Sequence, residues 1–178
     1  MDKVIKNAVT SVFEGRVVKL FLEDVTLPNG SRTRYEVVHH AGAAAVLPLH
    51  EDGSVTLVHQ YRHAIGGYLY EIPAGLLEDG ESPAICAGRE LEEEAGLIAA
   101  HVEPLTRFHP APGFSDELVH LFLATGLTPC PQRLEDDEVL TVVRMPLAEA
   151  LTKLAAGEMS DAKTQIALLM VAARQQAN

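Results

Sequence analysis

Three glutamates, Glu90, Glu93 and Glu94, stand at positions i, i+3 and i+4 of the run Arg89-Glu90-Leu91-Glu92-Glu93-Glu94-Ala95-Gly96-Leu97. On a helix these positions fall within roughly 100° of one another, so the carboxylates share one face. Like charges so placed weaken a helix, and something must compensate them. A hard divalent cation does this well, because Mg²⁺ prefers carboxylate oxygens, keeps several waters and completes its octahedron with substrate phosphates. Arg89 precedes Glu93 by one helical turn and is also placed to pair with Glu81, fixing the preceding loop against the helix. A glutamate run taken alone reads as a solvated helix face. The segment Gly75-Leu76-Leu77-Glu78-Asp79-Gly80 changes that reading, since it forces a sharp turn that directs the Ala74 carbonyl toward the carboxylates.

The elements that must hold these residues follow from pattern. Ser82-Pro83 starts a helix, with Ser as N-cap and Pro at the first position, where its missing N–H costs nothing. Ala84, Ala87, Gly88, Leu91 and Ala95 recur at helical spacing and give a narrow face of small residues for packing on a sheet, and Gly96 ends the helix. Upstream, stretches 16–27 and 33–39, joined by Pro28-Asn29-Gly30-Ser31, read as a β-hairpin. Stretches 42–49 and 54–61 read as a second hairpin, more deeply buried, and 69–72 as a short strand stopped by Pro73. Strands are expected at 103–108, 118–124 and 139–145, an acidic loop at 129–138, and helices at 147–156 and 162–175. The pattern predicts an α+β fold without internal repeat.

Composition narrows the function. A chain of 178 residues, 47% hydrophobic and 22% charged, is globular and long enough to bury a core. Its longest apolar runs, 41–49 and 166–173, are far shorter than the ~18 residues of a membrane span. Residues 1–7 lack the apolar stretch of a secretory signal, and Cys86 and Cys130 have no metal-ligand spacing, so a reducing cytoplasm is expected. The formal net charge of −11 argues against nucleic-acid and anionic-membrane partners. A phosphate substrate would need cations to bring it in. Cys86, inside the glutamate-bearing helix, reads as a small buried residue rather than a nucleophile, and Cys130 as an incidental thiol. Ser115-Asp116 near His109 and His120 lacks the strained Gly-x-Ser-x-Gly turn that presents a serine nucleophile, and His59, His63 and His101 have no ligand spacing among themselves.

Taken together, Gly75, Glu81, Arg89, Glu90, Leu91, Glu93, Glu94, Gly96 and Leu97 resemble the Nudix box at every specified position. At average residue frequencies such a coincidence has a probability on the order of 10⁻⁹ per starting point. Gln60-Tyr61-Arg62, Glu71-Ile72-Pro73-Ala74-Gly75, the loop Pro110-Ala111-Pro112-Gly113-Phe114-Ser115-Asp116-Glu117 and Asp161-Ala162-Lys163-Thr164 resemble the ADP-ribose pyrophosphatase branch of that superfamily. The resemblance implies a Nudix-type α/β/α sandwich with a mixed sheet over residues 41–178, preceded by an N-terminal antiparallel sheet in residues 1–40. It implies Glu90 and Glu94 as principal metal ligands, Glu93 as a further ligand or metal-water contact, and the Ala74 carbonyl as a backbone ligand. Gly75, Glu81, Arg89 and Gly96 are structural in the box. An acid before the last strand completes such sites as base or extra ligand; Glu138 fits best, with Glu135 and Asp137 as alternatives. Arg62 resembles a diphosphate-binding arginine, whose planar fork pairs two phosphate oxygens. The resemblance also implies Glu36, His39, Pro112 and Gly113 as further substrate contacts. His39 departs from the arginine common in relatives, and a histidine is mostly neutral at pH 7.

The expected activity is Mg²⁺-dependent hydrolysis of the ADP-ribose diphosphate to AMP and ribose 5-phosphate, with Mn²⁺ as a substitute. GDP-mannose or another nucleotide sugar is the alternative substrate. A non-catalytic nucleotide-sugar sensor is a second alternative, although the sequence shows neither a degraded box nor a DNA-binding segment. The resemblance also implies a homodimer, because residues 1–40 are too few to form a core of their own.

Overall fold

The computed structural model describes residues 3–134 and 138–177. The chain divides into two compact units, Met1–Gly42 with Phe108–Leu118, and Ala43–Arg107 with Val119–Asn178.

The first unit is an antiparallel sheet in the order β1 (Ile5–Glu14), β2 (Lys19–Thr26), β3 (Arg32–His39). The expected hairpin is β2–β3, running from Lys19 opposite His39 to Thr26 opposite Arg32. Its turn closes where Gly30 adopts φ 83° and donates its N–H to the Leu27 carbonyl at 2.9 Å. Strand β1 was not legible: all ten of its residues are exposed, so the burial alternation that marks a strand is missing, and pairing with β2 defines it instead. Segment 108–118 is fastened to β3 by bonds from Val38 N–H to the Phe114 carbonyl (2.7 Å) and from Asp116 N–H to the Val38 carbonyl (3.2 Å).

In the second unit β4 (Ala43–Pro48), β5 (Ser54–Arg62), β6 (Gly67–Glu71), β7 (Ala74–Leu76), β8 (Leu97–Phe108), β9 (Val119–Pro129) and β10 (Leu140–Pro146) form two sheets, ordered β7-β4-β9-β8 and β10-β5-β6. Helices α1 (Pro83–Ala95), α2 (Leu147–Ala155) and α3 (Ala162–Ala177) cover them. The second expected hairpin is corrected here. Strands β4 and β5 lie in different sheets, linked by a single bridge between Leu49 and Val55. The reason is burial: the nearly all-apolar β4 is covered on both faces and runs parallel to β9 on one side and antiparallel to β7 on the other, leaving no edge for β5.

Strand β4 sends Ala44 and Val46 into a core with Cys86, Ala87, Leu91 and Ala95 of α1 and Phe122 and Ala124 of β9. By the two-residue period Ala45 and Leu47 point to the other face, and α3, with Ala167, Leu168 and Val171 buried, packs on β4 as well. This is the α/β/α arrangement expected from the sequence. Helix α1 begins as its sequence dictates, with the Ser82 hydroxyl accepting from Ile85 N–H at 3.4 Å, and ends where Gly96 turns left-handed at φ 63°. Ala84, expected on the packing face, is exposed because it lies in the first turn, short of the buried cluster.

Candidate active site

The short strand β7 leads into the loop before α1, and this connection brings the loop back over the glutamate face. Ala74 N–H donates to Glu94 Oε2 at 2.9 Å. A Cβ on Gly75 would stand 1.8 Å from Glu90 Oε1, so only glycine lets that carboxylate lie against the backbone. Arg89 spans the rest. Its Nε and Nη2 donate to both oxygens of Glu81 at 3.0 and 3.1 Å, its Nη2 also to the Leu76 carbonyl, and its Nη1 to Glu90 at 2.6 Å and Glu93 at 3.1 Å. Gly96 serves two ends: besides its left-handed turn, a Cβ there would stand 2.9 Å from the Cys130 carbonyl, where the chain after β9 returns to the helix.

Glu90 and Glu94 are 7% and 2% exposed. Burial pushes Glu94 up to about 8, opposed by its bond to Ala74 N–H and reinforced by the charges of Glu90 and Glu138. Burial likewise raises Glu90, against the pull of Arg89 and with the push of Glu93 and Glu138. The charge of Glu138 thus acts on both buried acids. It is half-buried and stands just ahead of β10, whose pairing places Leu140 opposite Gln60, and the carbonyl of the intervening Val139 accepts from Tyr61 N–H at 3.1 Å. Glu135 and Asp137 lie outside the described residues.

Arg62, at the end of β5, uses Nε and Nη2 to grip both oxygens of Glu71 at 2.7 and 2.9 Å, and the charge of Glu94 also acts on it. Lys163 Nζ bonds the same Glu71 carboxylate and, at 2.9 Å, Asp161 Oδ1. Burial pushes Glu71 up, yet its bonds to Arg62 and Lys163 outweigh that and hold it below the usual range. Sequence reading gave Glu71 and Lys163 no role. The available signal was an acid inside the apolar stretch Leu69 to Ile72, which needs a buried cationic partner.

In the first unit Glu36 is exposed on β3 opposite Leu22, and Pro112 and Gly113 are exposed in the turn after Ala111. His39 Nδ1 lies 2.5 Å from Asp116 Oδ2, and its Nε2 lies 3.4 Å from Glu23 Oε1. Cys86 is buried, and burial first and then the charges of Glu81 and Glu90 push its thiol up to about 12, which keeps it from acting as a nucleophile.

The donor chemistry of the box fits a hard divalent cation. Its acids offer only carboxylate oxygens, and Glu94 is a buried acid driven toward neutrality by burial. The Gly75 backbone leaves the space that Glu90 occupies. Among the described residues no three His, Cys, Asp or Glu side chains are already gathered as ligands, since Glu90 and Glu93 are turned onto Arg89. Arg89 thus supplies part of the compensation that the glutamate face requires.

Known proteins resemble this chain in sequence and in fold. The NUDIX domain model matches residues 38–166. An ADP-ribose pyrophosphatase of Bacillus subtilis is 43% identical over 159 residues, covering 88% of this chain and 86% of that protein. A methanol dehydrogenase activator of Bacillus methanolicus is 41% identical over 169 residues, covering 94% and 90%. A crystal structure of an ADP compounds hydrolase superposes with a TM-score of 0.87 at 26% identity, covering 99% of this chain and 96% of that one. With the box complete at all nine positions and folded as a loop closed over a glutamate-bearing helix, the chain belongs to the NUDIX family.

Proposed function

We propose that this protein hydrolyses the diphosphate of ADP-ribose, or of a closely related nucleoside diphosphate sugar, with Mg²⁺ as its cation and Mn²⁺ as a substitute. The observation that carries the reading is Glu94: a carboxylate 2% exposed, tied to the loop by Ala74 N–H and pushed up to about 8, has a reason to ionise when a divalent cation is bound beside it. Glu90, Glu93, Glu94 and the Ala74 carbonyl would hold the cation. When bound, it neutralises the diphosphate and lowers the pKa of a bound water. Arg62 presents the N–H groups outside its Glu71 pair to diphosphate oxygens. Glu138 accepts the proton of the attacking water as it adds across one P–O bond of the diphosphate, and ADP-ribose leaves as AMP and ribose 5-phosphate. Relatives named ADP-ribose pyrophosphatase and GDP-mannose pyrophosphatase support the substrate class.

Two copies of the chain associate through the N-terminal sheet. Val9, Val12 and Phe13 on β1, 49%, 53% and 56% exposed, supply apolar surface for such an interface. Glu36, His39, Pro112 and Gly113 are assigned to substrate contact. No described helix is long and apolar enough to cross a membrane, and the two unpaired thiols suit a reducing cytoplasm.

The test is a panel of nucleoside diphosphate sugars scored by kcat/KM with Mg²⁺. ADP-ribose is expected to rank first, EDTA to abolish turnover, and Mg²⁺ or Mn²⁺ to restore it. Turnover that survives chelation, or a panel without cleavage, overturns the reading.

A further inference from the structure

The buried end of β6 carries a charge arrangement outside the box. Glu71, 2% exposed, takes one cation on each side: Arg62 through a two-point grip and Lys163 through Nζ. Lys163 is the second residue of α3, and the residue that caps this helix, Asp161, is also its other anchor, at 2.9 Å. The second oxygen of Asp161 accepts from Thr164 N–H at 2.9 Å and from the Thr164 hydroxyl at 2.5 Å. The Thr164 hydroxyl in turn accepts from Ile72 N–H at 2.8 Å, so the start of α3 is fixed to the backbone between Glu71 and the box. Lys163 therefore has little freedom to move away from Glu71.

The charge count matters more than the bonds. Arg62, Glu71, Lys163 and Asp161 together are neutral. Without Lys163 the remaining group is a net anion, and it borders a site that already holds Glu90, Glu94 and Glu138. A guanidinium paired with one unshared carboxylate offers a dianionic ligand almost no net attraction. A second cation on that carboxylate divides its charge between two partners, so Glu71 cancels less of the guanidinium, while Asp161 lies on the far side of Lys163 with its second oxygen taken up by Thr164.

We propose that Lys163 is a positioning residue for the diphosphate: as counter-ion to Glu71, it leaves the positive charge of Arg62 available to the substrate. This rests on the reading of the site as a nucleoside diphosphate sugar hydrolase. A purely structural ion pair would instead affect folding stability and leave substrate affinity alone.

The experiment compares wild type, Lys163→Met, Lys163→Arg and the double variant Glu71→Gln/Lys163→Met at one Mg²⁺ concentration. It reads KM and kcat for ADP-ribose, equilibrium Kd for the non-hydrolysable α,β-methylene analogue, and thermal denaturation. Lys163→Met is expected to raise KM and Kd about tenfold or more, with kcat changing less than KM. Lys163→Arg is expected to stay within about threefold of wild type. The double variant removes one charge of each sign, restores the net charge and keeps an amide oxygen for Arg62. It is expected to regain at least about threefold of the affinity lost in Lys163→Met. Unchanged Kd in Lys163→Met, or a double variant weaker than it, overturns the proposal. If Lys163→Met does not fold, the double variant decides, because it removes the buried Glu71 charge together with its cation and leaves Asp161 held by the Thr164 N–H and hydroxyl. A Kd within about threefold of wild type then supports the proposal, and a larger loss overturns it. Wild type itself tests the underlying reading: a protein that neither binds the analogue nor cleaves any nucleoside diphosphate sugar overturns both. Normal wild-type binding with an indifferent Lys163→Met overturns this proposal alone.

Discussion

Ala74 and Glu94, twenty residues apart, are joined by one hydrogen bond of 2.9 Å from the backbone N–H of the first to Oε2 of the second. The bond ties the loop to the last carboxylate of the box and holds that carboxylate in a place that favours its neutral form. Burial, the largest influence on Glu94, pushes it up to about 8, and the bond only partly offsets this.

The first prediction concerns stability without metal. An acid whose folded pKa exceeds its unfolded value of 4.5 contributes stability that is fully present below 4.5 and is lost as the pH rises through about 8. Glu94→Gln keeps the acceptor for Ala74 N–H and removes the charge. In EDTA it is expected to match wild type near about pH 4 and to melt at least about 4 °C higher near about pH 9. Its kcat with Mg²⁺ is expected to fall at least ~10²-fold. Scanning calorimetry across pH, paired with kinetics, checks both. Equal melting temperatures at high pH would show that Glu94 ionises without cost.

Gly75→Ala tests the contact between loop and helix. The added methyl meets the far end of the Glu90 side chain rather than backbone, so the fold is expected to persist while the carboxylate is displaced. A loss of roughly 10²-fold or more in kcat/KM, with near-native circular dichroism, is the expected result. Retained activity would mean that Glu90 works equally well from another rotamer.

Glu138→Gln is expected to lower kcat by roughly 10² to 10⁴ with little change in KM, as loss of a general base does. Glu135→Gln is the control. If Glu135→Gln suffers that loss and Glu138→Gln does not, the base lies earlier in the loop. If neither does, the bound cation alone activates the water.

Sedimentation at micromolar concentration is expected to give a dimer, and Phe13→Glu on β1 to shift it toward monomer. A wild-type protein that sediments only as monomer would remove the N-terminal sheet as an interface.

The box itself was legible in sequence because its chemistry is local. Ser82, Pro83 and Gly96 fix the helix ends, the i, i+3, i+4 spacing puts three acids on one face, and glycine before the helix lets the loop close on Glu90. None of these needs a distant partner to be inferred. Pairing across the chain was not legible. Adjacent apolar strands β4 and β5 read as a hairpin, yet burial on both faces sent β4 between β7 and β9 and left β5 to pair with β10 and β6. That choice brings Arg62 to Glu71, Lys163 and the vicinity of Glu94, and sets Glu138 beside the end of β5. Strand β1 stayed hidden because its exposed residues carry no burial pattern. Local sequence determined which acids share one helix face and how the loop before the helix closes on them. The tertiary structure decided which charges surround them, since a buried acid such as Glu71 shows its partner only when strands and helix far apart in the chain pack together.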